Sequence, residues 1–349
     1  MISLKKKLEV FSLFQLWLEQ FLNNWSGNAL NRQDLFVSNI QSARHYNQWI
    51  VEPFVIKCLE QWVKRLTPES LFAFIDKYPE VEYIKQQKTI AVIPKENVPL
   101  DGLHDLICVL LAGHKFVGRN FNHTSDLVWY LSQKLIDIEP SFNDSIFWYE
   151  KLPKNVDKYL VYANLYGSNA WKEYLSKKDS LIRNQSISLG VITSEDDIDD
   201  YELLGCDISD YFGQSSYNVR KLFVPESFTI QKFFPAMEKY SFIYQYNRYA
   251  NNYDYQRSIL MMDLKPFFEN GFLIMRETAE HAVPIGCLHY EFYKSEEDLK
   301  TKLNNENVHI QQIISNSKSI SNAVLPGSAT SFSLYDFEDH QDTMKFLLK

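Results

Sequence analysis

Apolar residues recur at intervals of three and four along residues 2–25: Leu8, Phe11, Leu13, Phe14, Leu18, Phe21, Leu22 and Trp25. That spacing predicts an amphipathic helix. Glu9 and Glu19 interrupt the apolar run and no small-residue cleavage site follows, so the segment does not read as a signal peptide. Helical spacing continues to about residue 86. Within it, Thr67-Pro68-Glu69-Ser70 opens a helix through an N-cap and a proline in the first turn. At Thr89–Ile93 the pattern changes to a short β-rich run. A helix over 101–113, a strand at Lys115–Gly118 and a helix over 125–137 follow. Strands at Tyr159–Ala163 and Ile187–Ile192 come next, each followed by helical spacing. An acidic helix from Ser194 to Tyr211 leads through a glycine-containing turn into a strand at Lys221–Val224. Helices near 228–240 and 251–268, strands near 272–275 and 286–290, a helix near 296–304 and a strand at Val308–Ser315 complete the pattern. Residues 316–330, rich in Ser, Asn and Gly, read as a loop.

Strands alternating with helices in this way predict an α/β fold of two domains, with mostly parallel sheets flanked by helices. The simplest partition sets a first domain at residues 1–193 and a second at 194–325. A tail, 326–349, returns to the first domain. No apolar stretch is long enough to predict a membrane span.

Composition narrows the function classes. The chain has 349 residues, 45% of them apolar and 23% charged, as in an ordinary globule long enough for two domains. A net charge of −8 argues against nucleic acid as a partner. None of the 11 glycines forms a G-x-G pair, which excludes the G-x-G-x-x-G fingerprint and the Walker phosphate loop. Cys58, Cys108, Cys206 and Cys287 form no C-x-x-C pair, so neither a zinc cluster nor a disulfide framework is expected. The chain reads as cytoplasmic, with reduced thiols and no metal. The acidic run Glu195–Asp200 reads as a solvated helix N-terminus, favoured by the helix dipole. His114 reads as a structural hydrogen-bonding residue, and Tyr249–Tyr255 as a packed helix.

The most informative stretch is Tyr211–Glu226, which contains Gly213, Gln214, Ser216 and Arg220 as G-Q-x-S-x-x-x-R running into a strand. It resembles the aldehyde dehydrogenase superfamily, whose G-Q-x-C-x-x-x-R carries a nucleophilic cysteine before such a strand. Upstream, Ile90–Leu100 resembles that superfamily's strand followed by x-N-x-P-L, with Asn97 as its asparagine. Leu110–Arg119 resembles the A-x-x-A-G-N-x-V-x-x-K segment, whose cofactor-contacting lysine falls on Arg119. Tyr166-Gly167-Ser168 resembles the F-x-G-S turn that faces the cofactor. Glu280, four residues before Pro284, matches the glutamate that holds the nicotinamide ribose, with Glu277 competing for that role.

The resemblance is narrower still to the bacterial luminescence-type (LuxC-type) fatty acyl-CoA reductases. Ordered matches carry it: Val98–Asp105, Ala112–His114, Gly167–Asn169, Tyr211–Gly213, Asn218-Val219, Tyr249–Tyr255, Gly271–Leu273, His289–Glu291, Ile310-Gln311 and Asp342–Leu347. It implies an aldehyde dehydrogenase-like fold with a nicotinamide-binding first domain and a catalytic second one. It also implies NADPH, or NADH, as cofactor and acyl-CoA or an acyl-protein as donor. The implied partner is an acyl-activating synthetase or an acyltransferase, and a homo-oligomer stays open.

Thioester reduction needs a nucleophile that accepts the acyl group and leaves the carbonyl electrophilic, which a thiolate does. The oxyanion then needs donors; Asn97 fits by its position, with capping of a helix beginning near Asp101 as the alternative. Gly167 and Ser168 supply a small, phosphate-facing turn. The chain departs from the pattern where the cysteine belongs. Ser216 stands there, and Cys206, in the acidic helix, reads as a packed residue. The superfamily's general-base strand falls near Ile182–Gln185, which has no glutamate. Ser216 therefore reads as part of a plain turn, as an exchanged cysteine, or as a serine nucleophile needing a neighbouring base. These readings imply an impaired reductase, a pseudoenzyme that binds acyl or nucleotide, or acyl transfer without reduction.

Overall fold

A computed structural model describes residues 2–25, 35–84, 86–119, 126–162, 169–184, 186–306, 309–331 and 333–349. The chain divides into two compact units, Met1–Gln185 with Ser333–Lys349, and Ser186–Phe332.

Among the described residues, the first unit opens with the helices α1 (Leu4–Asn23), α2 (Leu35–Tyr46), α3 (Glu52–Arg65) and α4 (Pro68–Asp76). Ser3 caps α1 by accepting from Lys6 N at 3.3 Å, and Phe11, Phe14 and Leu18 form its fully buried stripe. Thr67 caps α4 at 3.3 Å from Ser70 N, with Pro68 in the first turn. The sheet follows as β1 (Thr89–Ile93), α5 (Leu103–Leu111), β2 (Lys115–Arg119), α6 (Asp126–Ile138), β3 (Ile146–Tyr149), β4 (Lys158–Tyr162), α7 (Asn169–Ser176) and β5 (Asp179–Arg183). All five strands are parallel, in the order β3-β2-β1-β4-β5. Central β1 places Ala91 beside Val117 on one side and Tyr159 on the other. Its continuous apolar run is what a strand covered on both faces requires. The chain winds outward from β1 to β3, returns beside β1, and winds the other way to β5. The carboxyl ends of β1 and β4 therefore flank a topological switch point.

Two strands of this sheet are not predicted by the pattern. β3 and β5 are edge strands, only partly buried, and too short to carry a clear period. The segment Ser333–Lys349 packs within this unit and ends in a helix, Thr343–Leu348. Lys158 Nζ donates to Phe346 O at 2.8 Å, and Tyr78 Oη donates to Asp342 Oδ2 at 3.1 Å. His114 is buried with both ring nitrogens used: Nδ1 accepts from Lys88 N (3.2 Å) and Nε2 donates to Leu347 O (2.9 Å). Burial holds its pKa below the ordinary value, as befits a neutral structural imidazole.

The second unit contains β6 (Ser186–Val191), α8 (Ile198–Ser209), β7 (Val219–Pro225), α9 (Ile230–Met237), α10 (Asn247–Met262), β8 (Phe268–Glu269), β9 (Ile274–Glu277), β10 (Cys287–Tyr293), α11 (Glu296–Asn305) and β11 (His309–Ile314). Its sheet runs β11-β6-β7-β10-β9-β8, parallel except for the short antiparallel pair β8–β9. Leu189, Val191 and Phe223 pack under Leu299 of α11, and Tyr253 and Leu260 of α10 pack on Ile274 and Cys287. Strand β6 pairs with β7 and β11, so the change of unit falls just before it rather than near 193. The helix expected over 251–268 instead spans 247–262, because Pro266 cannot continue it and Phe268 joins β8.

Candidate functional site

Helix α8 begins with a capping box in which Asp197 accepts from Asp199 N (2.9 Å) and Asp200 N (3.2 Å), while Asp200 accepts from Asp197 N (3.1 Å). The acidic run is thus used to start a helix. At its far end the chain reverses through three successive left-handed residues, Tyr211 (φ 51°), Phe212 (φ 59°) and Gly213 (φ 68°). Two of them are aromatic and pay roughly 1–3 kcal/mol each in backbone strain. Packing offsets it: both side chains are buried, and the Phe212 ring sits 5.4 Å from Tyr246 and 5.7 Å from Tyr249. Tyr249 anchors in turn by donating to Phe272 O at 2.9 Å.

The turn that follows carries Ser216. Ser215 N donates to Asn218 Oδ1 (2.9 Å) and Asn218 N donates to Ser215 O (3.0 Å). Ser188 Oγ, on β6, donates to Ser216 O at 3.0 Å, and Ser216 itself is 3% exposed. Arg220, on β7, forks onto the carbonyls of Gly213 and Val283. This single side chain joins the Ser216 turn to the segment between β9 and β10 that carries Glu280. Burial pulls the Arg220 pKa below its ordinary value.

Glu280 is exposed, and its carboxylate is held by Arg276 at 3.0 and 3.3 Å, which lowers its pKa. Its carbonyl accepts from His289 Nδ1 at 2.9 Å. Beside it, Lys221 is fully buried and contacts Glu291 (2.6 Å), Glu306 (2.7 Å) and Ala279 O (3.4 Å). Sequence reasoning passes over this charged knot. Its signal in the sequence is a lysine set immediately before the apolar run Leu222–Val224.

In the first unit, Asn97 lies half-buried in the loop leaving the carboxyl end of β1. Lys95 N donates to Asp101 Oδ2 (3.1 Å), Asn47 Nδ2 donates to Glu96 O (2.5 Å), and Glu96 and Leu100 are left-handed at φ 65° and 60°. Helix α5 starts at Leu103 with Gly102 at its N-cap and no side-chain cap. Asn97 is therefore not the cap of this helix. Arg119 ends β2, half-buried and in register with Tyr149. Tyr166, Gly167 and Ser168 lie outside the described residues. Where the general-base strand is expected, Arg183 donates to both oxygens of Asp105 (2.8 and 2.7 Å) and to Thr343 Oγ1 (2.6 Å).

Among the described residues, no group of three or more His, Cys, Asp or Glu side chains is placed to hold a metal ion. All four cysteines are free. Burial pushes the Cys287 thiol up to about 12 and Cys108 well above its ordinary value, which leaves both protonated. Cys206 donates to Leu203 O at 3.1 Å on its own helix. No described helix is long and apolar enough to cross a membrane.

No protein-family model and no curated protein matches the sequence. Solved structures do match the fold. The chain is similar to aldehyde dehydrogenase 21 from Physcomitrella patens, solved with the reaction product succinate, at 13% identity and a TM-score of 0.63, covering 99% of this chain and 84% of that one. It is similar to an aldehyde dehydrogenase of Mycobacterium tuberculosis complexed with NAD+ at 11% identity and a TM-score of 0.58, covering 91% and 74%. An NAD-dependent aldehyde dehydrogenase from Sinorhizobium meliloti gives 9% identity and a TM-score of 0.59, covering 92% and 72%. The fold is that of the aldehyde dehydrogenases: α/β, with parallel-rich sheets flanked by helices.

Proposed function

We propose that this chain has the architecture of an NADPH-dependent acyl-thioester reductase in which the acyl-accepting position is Ser216. The supporting observation is the Ser216 turn. It follows a strained left-handed reversal, is tied down by Arg220, Asn218 and Ser188, and leads directly into a central parallel strand. Acyl-CoA or an acyl-protein would deliver a long-chain acyl group there. Asn97, half-buried after β1 and not spent as a helix cap, is the assigned oxyanion donor.

The first unit suits a nicotinamide dinucleotide. Its strand order is that of the dinucleotide-binding doubly wound sheet, with the switch point at the carboxyl ends of β1 and β4. Arg119 at the end of β2, Gly167 and Ser168 are assigned to the cofactor, with Glu280 on the ribose. When bound, the cofactor supplies hydride to the acyl carbonyl. The chain's own residues hold the acyl group, orient its carbonyl and donate to its oxygen.

One observation favours a second reading, a pseudoenzyme that binds acyl or nucleotide for an acyl-activating or acyltransferase partner. Position 216 holds a hydroxyl, and the buried thiols Cys108 and Cys287 are kept protonated. An oxygen ester is a poorer hydride acceptor than a thioester. Ser216→Cys separates the readings when NADPH oxidation is followed with a long-chain acyl-CoA. Turnover on substitution supports the reductase architecture. NADPH binding without turnover in either form supports the pseudoenzyme. Absence of both NADPH binding and turnover overturns the reductase reading. An acyl adduct on the unsubstituted chain, by intact mass, marks acyl transfer through Ser216 instead.

A further inference from the structure

We propose that Asp207 is a positioning residue that fastens two distant segments, the turn Gln214–Asn218 and the loop Leu325–Thr330, into one wall around position 216. The inference rests on the reading of that position as the acyl-accepting one. Asp207 sits in the last turn of α8 and is fully buried. Its Oδ2 accepts from Gly327 N at 2.7 Å and its Oδ1 from Ala329 N at 2.9 Å. Its own carbonyl accepts from Asn218 Nδ2 at 2.9 Å, and Asn218 Oδ1 accepts from Ser215 N at 2.9 Å.

The connection closes on the opposite side. Gln312, on β11, donates through Nε2 to Ala329 O (2.8 Å) and reaches Tyr217 O (3.4 Å). With Tyr217 N donating to Ser215 Oγ at 3.3 Å, a ring of hydrogen bonds runs Asp207, Ala329, Gln312, Tyr217, Ser215, Asn218 and back to Asp207, with Ser216 held inside the turn. Asn218 is fully buried and Ala329 is 1% exposed, so the ring operates where each unmade bond is costly. Gly327 meets the carboxylate in a left-handed conformation (φ 81°), where a Cβ would lie 3.0 Å from Leu203 Cδ2.

The geometry requires a side chain with two acceptor oxygens. Asp207 accepts two converging N–H groups at once, one on each oxygen. A carboxamide accepts one and turns its own N–H₂ toward the other. Among the described residues, no other acidic side chain accepts from these two donors.

The test uses the full chain carrying Ser216→Cys, alone and combined with Asp207→Ala, Asp207→Asn or Gln312→Leu. Two readouts are taken: amide hydrogen exchange in peptides covering 212–218 and 325–331, and acylation at position 216 by palmitoyl-CoA, followed by intact mass. Asp207→Ala is expected to raise exchange at least tenfold in both segments together. It should slow acylation by about a hundredfold, the scale of a small misplacement near a reacting group, with the half-saturating palmitoyl-CoA concentration changed less than threefold. Asp207→Asn and Gln312→Leu should fall between, and they carry the test if Asp207→Ala does not fold. Loosening of 325–331 alone, with the 212–218 peptide and acylation unchanged, overturns the proposal, as does unchanged exchange in both. If the two segments loosen together but no background acquires an acyl group, the wall stands and the assignment of position 216 falls.

Discussion

Arg183 forks onto Asp105 at 2.8 and 2.7 Å with both side chains buried, and the pair occupies the strand end where the resemblance expects a general-base strand. Removing one partner strands a charge in a low-dielectric site. Asp105→Ala should therefore destabilise the first unit by about 3–5 kcal/mol. Replacing both, as Asp105→Leu with Arg183→Met, should recover most of that loss, because the desolvation of both ions is removed together. Urea unfolding followed by tryptophan fluorescence checks the order. A double variant less stable than Asp105→Ala would count against it.

Arg220 bridges two carbonyls that belong to different segments, Gly213 and Val283. A planar guanidinium can reach both at once; a lysine ammonium on a flexible stem loses that geometry. Arg220→Lys should cost roughly 1–3 kcal/mol through the carbonyl left unpaired. Its effect should appear as faster hydrogen exchange at both 211–218 and 279–286. Exchange confined to one segment would mean that Arg220 does not couple them.

The contrast between what was legible and what was not has a physical basis. The helices α1, α5 and α6 and the strands β1, β7 and β10 announce themselves because buried faces impose a period or a continuous apolar run. Edge strands β3 and β5 bury too little to do so. Strand β6 is visible as a strand, but Ser186–Val191 reads the same whichever sheet receives it; only pairing with β7 and β11 assigns it. The Ser216 turn was legible through its fixed spacing of Gly213, Gln214 and Arg220. The Asp105–Arg183 pair, 78 residues apart, was not. Its trace in the sequence is an acid set inside the apolar run Leu103–Leu111.

Asp207 also sets a pH dependence. Burial raises its pKa to about 7, outweighing the two backbone N–H groups that lower it, while Asp210 pushes it further up. The folded state therefore binds this proton more tightly than the unfolded chain, whose carboxyl titrates near 3.8. The contribution to stability is fully present below about pH 4 and is lost as pH rises through about 7, by at most ~4 kcal/mol. Unfolding measured between pH 4 and 8 should show this decline, and Asp207→Asn should reduce it, the remainder coming from Asp101, whose carboxyl burial likewise raises to about 7. A wild-type stability that rises across that window, with no change of slope in the variant, would contradict the assignment.

Asn97 offers the sharpest separation of binding from chemistry. Its side chain is half-buried in the loop after β1, and α5 takes its N-cap from Gly102 instead. Removing the carboxamide should leave the fold nearly untouched, within about 0.5 kcal/mol, as for a surface substitution away from structural features. If Asn97 donates to the developing oxyanion, the loss falls on the chemical step alone. In the Ser216→Cys background, Asn97→Ala should lower kcat by about 10²–10³, with KM for acyl-CoA changed little. Asn97→Asp should be at least as damaging, because a carboxylate offers no donor and repels the negative oxygen. A variant that raises KM at unchanged kcat would assign Asn97 to substrate binding instead, and one that lowers the melting temperature with kcat intact would make it a loop-structuring residue.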